Sequence, residues 1–328
     1  MPPPYTSKTT ASELATDFAP HITSKTILTT GVSPGGLGAA FITAIARASP
    51  ALLILAGRSP SKVSETAATI HKLYPDVRTR VLELDLGSLE SVRRAAEEVI
   101  SWTDVPVIDV LVNNAGIMAV EYGLSPEGVE RHFATNHLGH FLLTNLVMGK
   151  ILAAGEPRVV CVSSDGHRLG GVRWDDLNFD VSETYNKWVA YGQSKTANML
   201  FAVSLAEKLG GRGLLAFSLH PGVIATNLGG HLDWQEDFGE LKALDQAQGN
   251  KEGWAEFKFK TPDQGAATSV FAAFSPDLKG HNGAYLQDCH VADPWIETVK
   301  AWATSPVEAE RLWKLSEKLI GEEFHYRQ

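Results

Sequence analysis

Apolar residues fall along this chain in short, nearly continuous runs separated by amphipathic stretches, and that alternation predicts its architecture. Thr26–Thr30 (TILTT), Ala51–Leu55, Val81–Leu84, Val107–Val112, Arg158–Ser163 (RVVCVS) and Leu214–Leu219 read as strands. Between them the pattern predicts helices over Leu37–Ala48, Ser61 to about Tyr74, Leu89–Trp102, Pro126 to about Leu152 and Trp188–Leu209. Thr261–Phe274 reads as a further helix, Ala284–Leu286 as a last strand, and Ser305–Ile320 as a terminal amphipathic helix. Strands that stay apolar on successive residues are buried on both faces. The chain is therefore expected to be α/β, a single-domain Rossmann fold with a doubly wound parallel sheet and helices on both faces. Residues 1–24 read as a Pro/Ser/Thr-rich N-terminal tail with one short helix around Ser12–Phe18, leaving 25–328 as the domain. Residues 227–260 break the alternation: they are polar, rich in Gly, Trp and acids, and long for a connection, as expected of a functional lid or substrate loop.

Composition narrows the function more than the fold. A chain of 328 residues with 44% hydrophobic and 20% charged positions is that of a soluble globular protein with material for a large core. A net charge of −9 without a basic run argues against a nucleic-acid partner. No stretch approaches the roughly 20 apolar residues that span a bilayer, and the N-terminus lacks an apolar signal core. Two cysteines, Cys161 and Cys289, form no disulfide framework, so a reducing, cytoplasmic compartment is expected. His137, His140, His167 and His220 do not stand at metal-ligand spacing and read as structural; no metal is expected.

Two patterns carry chemistry. Tyr191 and Lys195 stand four positions apart in a predicted helix, on one face and roughly 5–6 Å apart at Cβ. A lysine there is expected to draw the phenol down from its usual pKa of about 10, making it a usable proton donor and acceptor. The second is the turn Thr30-Gly31-Val32-Ser33-Pro34-Gly35-Gly36-Leu37-Gly38, between strand and helix. Glycines there let the backbone approach a pyrophosphate, which lies on free N–H groups at the helix start. The same residues, Gly31-Val32-Ser33-Pro34-Gly35, also match the nucleophile elbow of serine hydrolases. An elbow serine, however, follows several strands of its sheet, and here one strand precedes it.

Taken together with Asn113-Asn114-Ala115-Gly116, these strings resemble the short-chain dehydrogenases/reductases, from about Thr26 to about Ile320. The resemblance implies that Thr30-Gly31, Ser33, Gly36, Leu37 and Gly38 hold the cofactor phosphates. Four residues rather than the family's three separate Gly31 from Gly36. It implies an adenine contact at Asp85, a cofactor-lining role for Asn114, and a carboxamide-binding segment after Pro221-Gly222 that includes Ile224 and Thr226. Asn136, Ser164, Tyr191 and Lys195 take the places of the catalytic set. Thr135-Asn136-His137-Leu138-Gly139-His140-Phe141, His220-Pro221-Gly222-Val223 and Thr261-Pro262-Asp263-Gln264-Gly265-Ala266-Ala267 are similar to the branch of retinol dehydrogenases and WW-domain oxidoreductases, as is the 27-residue step from Ser164 to Tyr191. The second serine, Ser164 rather than Ser163, follows that branch.

At the end of the second strand an acid would select NAD through the ribose 2′-hydroxyl, whereas an arginine suits a 2′-phosphate. Gly57 occupies that place, with Arg58 next and Lys62 a turn further, so NADP(H) is the expected cofactor. The expected activity is hydride transfer between nicotinamide and a lipophilic alcohol, aldehyde or ketone, such as a steroid, retinoid or secondary metabolite. Trp234 and Trp254 either line the substrate pocket or only pack. The family's habit of pairing through its two long helices leaves a homodimer open. A non-catalytic dinucleotide-sensing module and a sugar-nucleotide epimerase or dehydratase are the competing readings.

Overall fold

A computed structural model describes residues 5–180, 184–250, 254 and 258–326. It opens with two short helices, α1 (Ala11–Asp17) and α2 (Ala19–Ile22). Thr10 starts α1 through a reciprocal cap: its hydroxyl accepts the Glu13 N–H while the Glu13 carboxylate accepts the Thr10 N–H. Ala11, Leu14 and Ala15 are fully buried, and Tyr5 meets Phe18 and Phe271 edge to face. The segment read as a tail thus belongs to the packed body from Tyr5 onward; α1 has too few residues for its buried face to show as periodicity.

The chain then alternates as predicted through β1 (Thr26–Thr30), α3 (Leu37–Ala46), β2 (Leu52–Gly57), α4 (Pro60–Leu73), β3 (Thr79–Glu83), α5 (Leu89–Ser101) and β4 (Val110–Asn113). The helix expected from Pro126 begins later. Leu124 and Glu130 bridge, and the buried Glu130 carboxylate accepts the N–H groups of His132 and Phe133, starting the helix there. It runs as a π-helical segment, Phe133–Leu138, then α6 (Gly139–Leu146) and α7 (Met148–Leu152). Next come β5 (Arg158–Val162), α8 (Lys187–Leu209), β6 (Leu215–His220) and β7 (Val223–Ile224). The expected lid is not bare loop: it carries α9 (Trp234–Ala247) and ends in β8 (Phe259–Lys260), which pairs with β7. Residues 251–253 and 255–257, and the side chain of Trp234, lie outside the described residues. α10 (Pro262–Phe274), β9 (Tyr285–Gln287), β10 (His290–Val291) and α11 (Pro306–Ile320) complete the chain.

Eight strands form one sheet in the order β10-β9-β6-β5-β4-β1-β2-β3, parallel except for β10. Successive strand residues feed opposite cores: Leu28, Leu111 and Val159 join the core with α5, α6, α8 and α11, while Ile27, Val110 and Val160 join that with α1, α3 and α10. β1 lies between β2 and β4, so connections leave it in opposite directions and open a crevice at its carboxyl end, where ligands of such sheets bind.

α11 packs along α8, with Leu312, Trp313 and Ile320 buried. The tail beyond it returns over α6: Phe324 meets Phe141, and the Tyr326 hydroxyl donates to Asn145 Oδ1 at 2.6 Å. Within α8, Glu207 is the one exposed side chain. The helices through which a homodimer was left open are thus covered by the chain itself.

Candidate active site

At the carboxyl edge, Thr30 ties three elements together. Its Oγ1 accepts the N–H groups of Asn114 and Ala115, both at 3.0 Å. Its own hydrogen then goes to His140 Nε2 at 2.9 Å, which places the ring proton on Nδ1, donating to the Asn136 carbonyl at 2.9 Å. Burial pushes His140 down to about 4, so the ring stays neutral. Asn114 Nδ2 also donates to the carbonyls of Thr30 and Gly31. Gly31 has φ 73°, and a Cβ there would stand 2.7 Å from Ala115 Cα, so no other residue fits.

Within the longer turn Gly35 has φ 74°, in the left-handed region. Gly36 N–H donates to Ser33 O and Gly36 is the N-cap of α3. Leu37 and Gly38 therefore present the helix's free N–H groups, a cradle for a phosphate. A cavity of about 1540 Å³ runs from this turn along the sheet edge. Arg58 and Lys62 line its outer end, both exposed and, among the described residues, without an ion-pair partner. Asp85 lines it too, its Oδ1 accepting the Gly87 N–H at 3.0 Å. Thr226 and Ile224 line the opposite wall. A phosphate-accepting helix start, a glycine that a Cβ would block and two free cations fit a nicotinamide dinucleotide.

Ser164, Tyr191 and Lys195 meet farther along the same cavity. Ser164 hydrogen-bonds Tyr191 and accepts the Gly166 N–H at 3.0 Å. Ser163 is spent elsewhere: buried, its hydroxyl donates to the Lys195 carbonyl at 2.7 Å. Lys195 Nζ lies 5.6 Å from the centre of the Tyr191 ring and donates to the Val162 carbonyl at 3.1 Å. Burial pushes Tyr191 up to about 12, against the pull of Ser164, and pushes Lys195 down to about 8. The protein's own groups therefore do not lower the phenol as the four-residue spacing suggested; desolvation outweighs the Ser164 hydrogen bond.

Asn136 stands behind the wall rather than on it. It is fully buried; Oδ1 accepts the Ile117 N–H, and Nδ2 donates to the Ile117 carbonyl and Ser194 Oγ. Of the other residues singled out for the cofactor and the chemistry, all but Gly38 line the one cavity. Ser33 is not arranged as a nucleophile: no histidine is bonded to it among the described residues.

The substrate side is apolar. Leu169, Trp188 and Leu241 are buried and pack with Met118 and Trp254, all of them lining the cavity. α9 is pinned over this wall by Arg168, whose Nε and a terminal nitrogen donate to the two oxygens of the fully buried Asp245 at 2.7 and 3.0 Å. Trp254 donates its indole N–H to Asp165 Oδ2 at 2.9 Å, and Arg168 lies 4.6 Å over its ring. Trp254 therefore both lines the cavity and holds the lid. Leu169, Trp188, Met118 and the Arg168–Asp245 pair carry no motif and were invisible to sequence reasoning, as were Ser7 and Lys8, which also line the cavity. Among the described residues no acid, histidine or cysteine cluster could hold a metal, and no helix is long and apolar enough to cross a membrane.

A family profile for short chain dehydrogenases matches residues 25–175. Retinol dehydrogenase 14 of Mus musculus is 37% identical over 307 residues, 90% of this chain and 86% of that protein. The chloroplastic short-chain dehydrogenase TIC 32 B of Brassica napus is 36% identical, covering 96% of this chain and 94% of its own. A crystal structure of an uncharacterised Mycobacterium paratuberculosis protein superposes with a TM-score of 0.69 at 34% identity, covering 94% of this chain and 98% of that one.

Proposed function

The chain belongs to the short-chain dehydrogenase/reductase family, in the branch of the retinol dehydrogenases, and we propose that it moves hydride between NADP(H) and a carbonyl or alcohol of a lipophilic small molecule. As a family member it is an oxidoreductase that uses a nicotinamide dinucleotide. The observation that carries the finer reading is one continuous cavity, with Ser164, Tyr191 and Lys195 on one wall and Arg58 and Lys62 at the far end.

The nicotinamide, when bound, supplies or takes up the hydride. In reduction Tyr191 delivers its proton to the carbonyl oxygen, and Ser164 donates a hydrogen bond to that oxygen as charge gathers on it. Lys195 supplies a positive charge beside the phenol and holds the cofactor's ribose hydroxyls. Asn136 acts at one remove, fixing Ile117 and, through its carbonyl, His140 and Thr30. Arg58, with Lys62, favours the 2′-phosphate over a bare ribose. Oxidation runs the same path backwards.

The substrate reading rests on the wall of Met118, Leu169, Trp188, Leu241 and Trp254, which offers an acyl, isoprenoid or polycyclic body apolar contact. The name of the mouse relative points the same way, to a retinoid-like alcohol or aldehyde. A cytoplasmic location is favoured by two cysteines that are free and buried, although one relative is named chloroplastic. Tyr191→Phe tests the mechanism: NADPH oxidation coupled to a lipophilic ketone or aldehyde should fall by about three orders of magnitude or more, with NADPH still bound. A variant that keeps substantial turnover refutes it.

A further inference from the structure

The cofactor cavity is built in part by residues that lie ahead of the first strand. Thr6–Thr9 form a tight turn: Thr9 N–H donates to Thr6 O at 3.0 Å, Thr6 N–H to Thr9 Oγ1 at 2.9 Å, and Lys8 N–H to Thr6 Oγ1 at 3.2 Å. Ser7 and Lys8, at the tip, line the same cavity as Gly36, Leu37 and Arg58. The turn is anchored on both sides. Before it, Tyr5 packs on Phe18 and Phe271 and its hydroxyl donates to Asp17 at 3.1 Å. After it, the Ser12 N–H and hydroxyl donate to Asp263 at 3.0 and 3.1 Å.

The tip's position along the cavity follows from its neighbours. The Lys8 carbonyl accepts Gln264 Nε2 at 3.3 Å. Gln264 belongs to the first turn of α10, and a Cβ on the next residue, Gly265, would stand 3.1 Å from Leu37 Cδ1. The Lys8 backbone is therefore held at the first turn of α10, which itself packs on Leu37 at the start of α3, whereas Arg58 and Lys62 follow β2. The acids of the same segment are already bonded, Glu13 to Thr10, Asp17 to Tyr5 and Asp263 to Ser12. Among the described residues no carboxylate pairs with Lys8. In a chain of net charge −9, this end of the cavity presents three exposed cations, Lys8, Arg58 and Lys62, without ion-pair partners. Such an arrangement calls for a polyanion.

We propose that Lys8 is a cofactor-binding residue, a cation carried on the N-terminal arm that meets the dinucleotide's pyrophosphate at the groove. The proposal rests on the nicotinamide-dinucleotide reading of the cavity. It divides the cations by the group they meet: Lys8 serves the pyrophosphate, common to NADH and NADPH, and Arg58 the 2′-phosphate, present in NADPH alone.

The test is direct binding of both cofactors, followed by quenching of tryptophan fluorescence, to the full chain and to Lys8→Ala, Lys8→Arg and Arg58→Ala. Lys8 is exposed, and its loss touches no core residue. Lys8→Ala should weaken NADPH and NADH by the same factor, about three- to fivefold, a loss that shrinks as salt is raised. Lys8→Arg should restore both, and Arg58→Ala should weaken NADPH alone. Unchanged binding of both cofactors to Lys8→Ala overturns the proposal, and so does a loss confined to NADPH, which would place Lys8 at the 2′-phosphate. If the unaltered protein binds neither cofactor, the dinucleotide reading itself falls, and that outcome is distinct from a silent Lys8.

Discussion

Asp245→Ala should release the lid while leaving the sheet intact. The Asp245 carboxylate is fully buried and accepts four hydrogen bonds: two from Arg168, one from Asn250 Nδ2 at 2.7 Å and one from the Trp254 N–H at 3.1 Å. Removing it strands a nearly buried guanidinium, whose remaining anion is Asp165 at 3.3 Å, together with two donors. Breaking a buried pair from one side costs roughly 3–5 kcal/mol. α9 contributes Leu241 and Leu244 to a small satellite cluster and no residue to the two cores that flank the sheet. The cheapest response is therefore local: α9 lifts, and Arg168 reaches water. About 3 kcal/mol corresponds to roughly a hundredfold rise in opening. Hydrogen exchange read by mass spectrometry should show the amides of Trp234–Ala247 losing protection by that factor while those of α11 do not change. KM for a lipophilic substrate should rise with it, because Trp254 and Leu241 leave the pocket wall. Arg168→Met combined with Asp245→Leu, which removes both charges together, should recover much of the protection. Unaltered exchange across α9 in Asp245→Ala would sink the idea that this pair is the latch.

Two further outcomes follow from the site. With Lys195 pushed down to about 8, its ammonium is present below that pH and lost above it, so carbonyl reduction at saturating cofactor should fall as pH rises through about 8. Alcohol oxidation, which needs Tyr191 ionised beside the same ammonium, should instead climb to about pH 8 and then level off, because each further gain of phenolate is matched by loss of the ammonium; a flat reductive profile speaks against a charge requirement at Lys195. Ser33→Ala should retain reductase turnover within about a factor of two, as expected of a hydroxyl on the cofactor turn; its abolition with NADPH still bound would revive the elbow reading.

Much of this protein is written locally. The strands could be read because TILTT, RVVCVS and their kin are apolar on successive residues, and only a two-sided sheet buries such a run. Gly31, Asn114, Ser164, Tyr191 and Lys195 could be read because each has to stand at a fixed step from a strand end or a helix turn. What escaped is held by contacts distant in sequence. Arg168 and Asp245 meet across 77 positions, and neither run around them differs from a solvated polar segment. Lys8 is placed by Gln264, 256 residues away. The late helix start had a local cause that periodicity does not weigh: the buried Glu130 carboxylate bonds the first N–H groups, and the π-helical segment that follows moves Asn136 off an ideal helical phase.

The terminal helix has a further consequence for how the enzyme behaves in dilution. α11 and the aromatic tail, through Trp313, Phe324 and Tyr326, supply in cis the apolar cover that a second subunit would bring to α6 and α8. With that face filled in cis, specific activity and melting temperature should be independent of protein concentration, as they are not for an enzyme whose subunits complete one another's core.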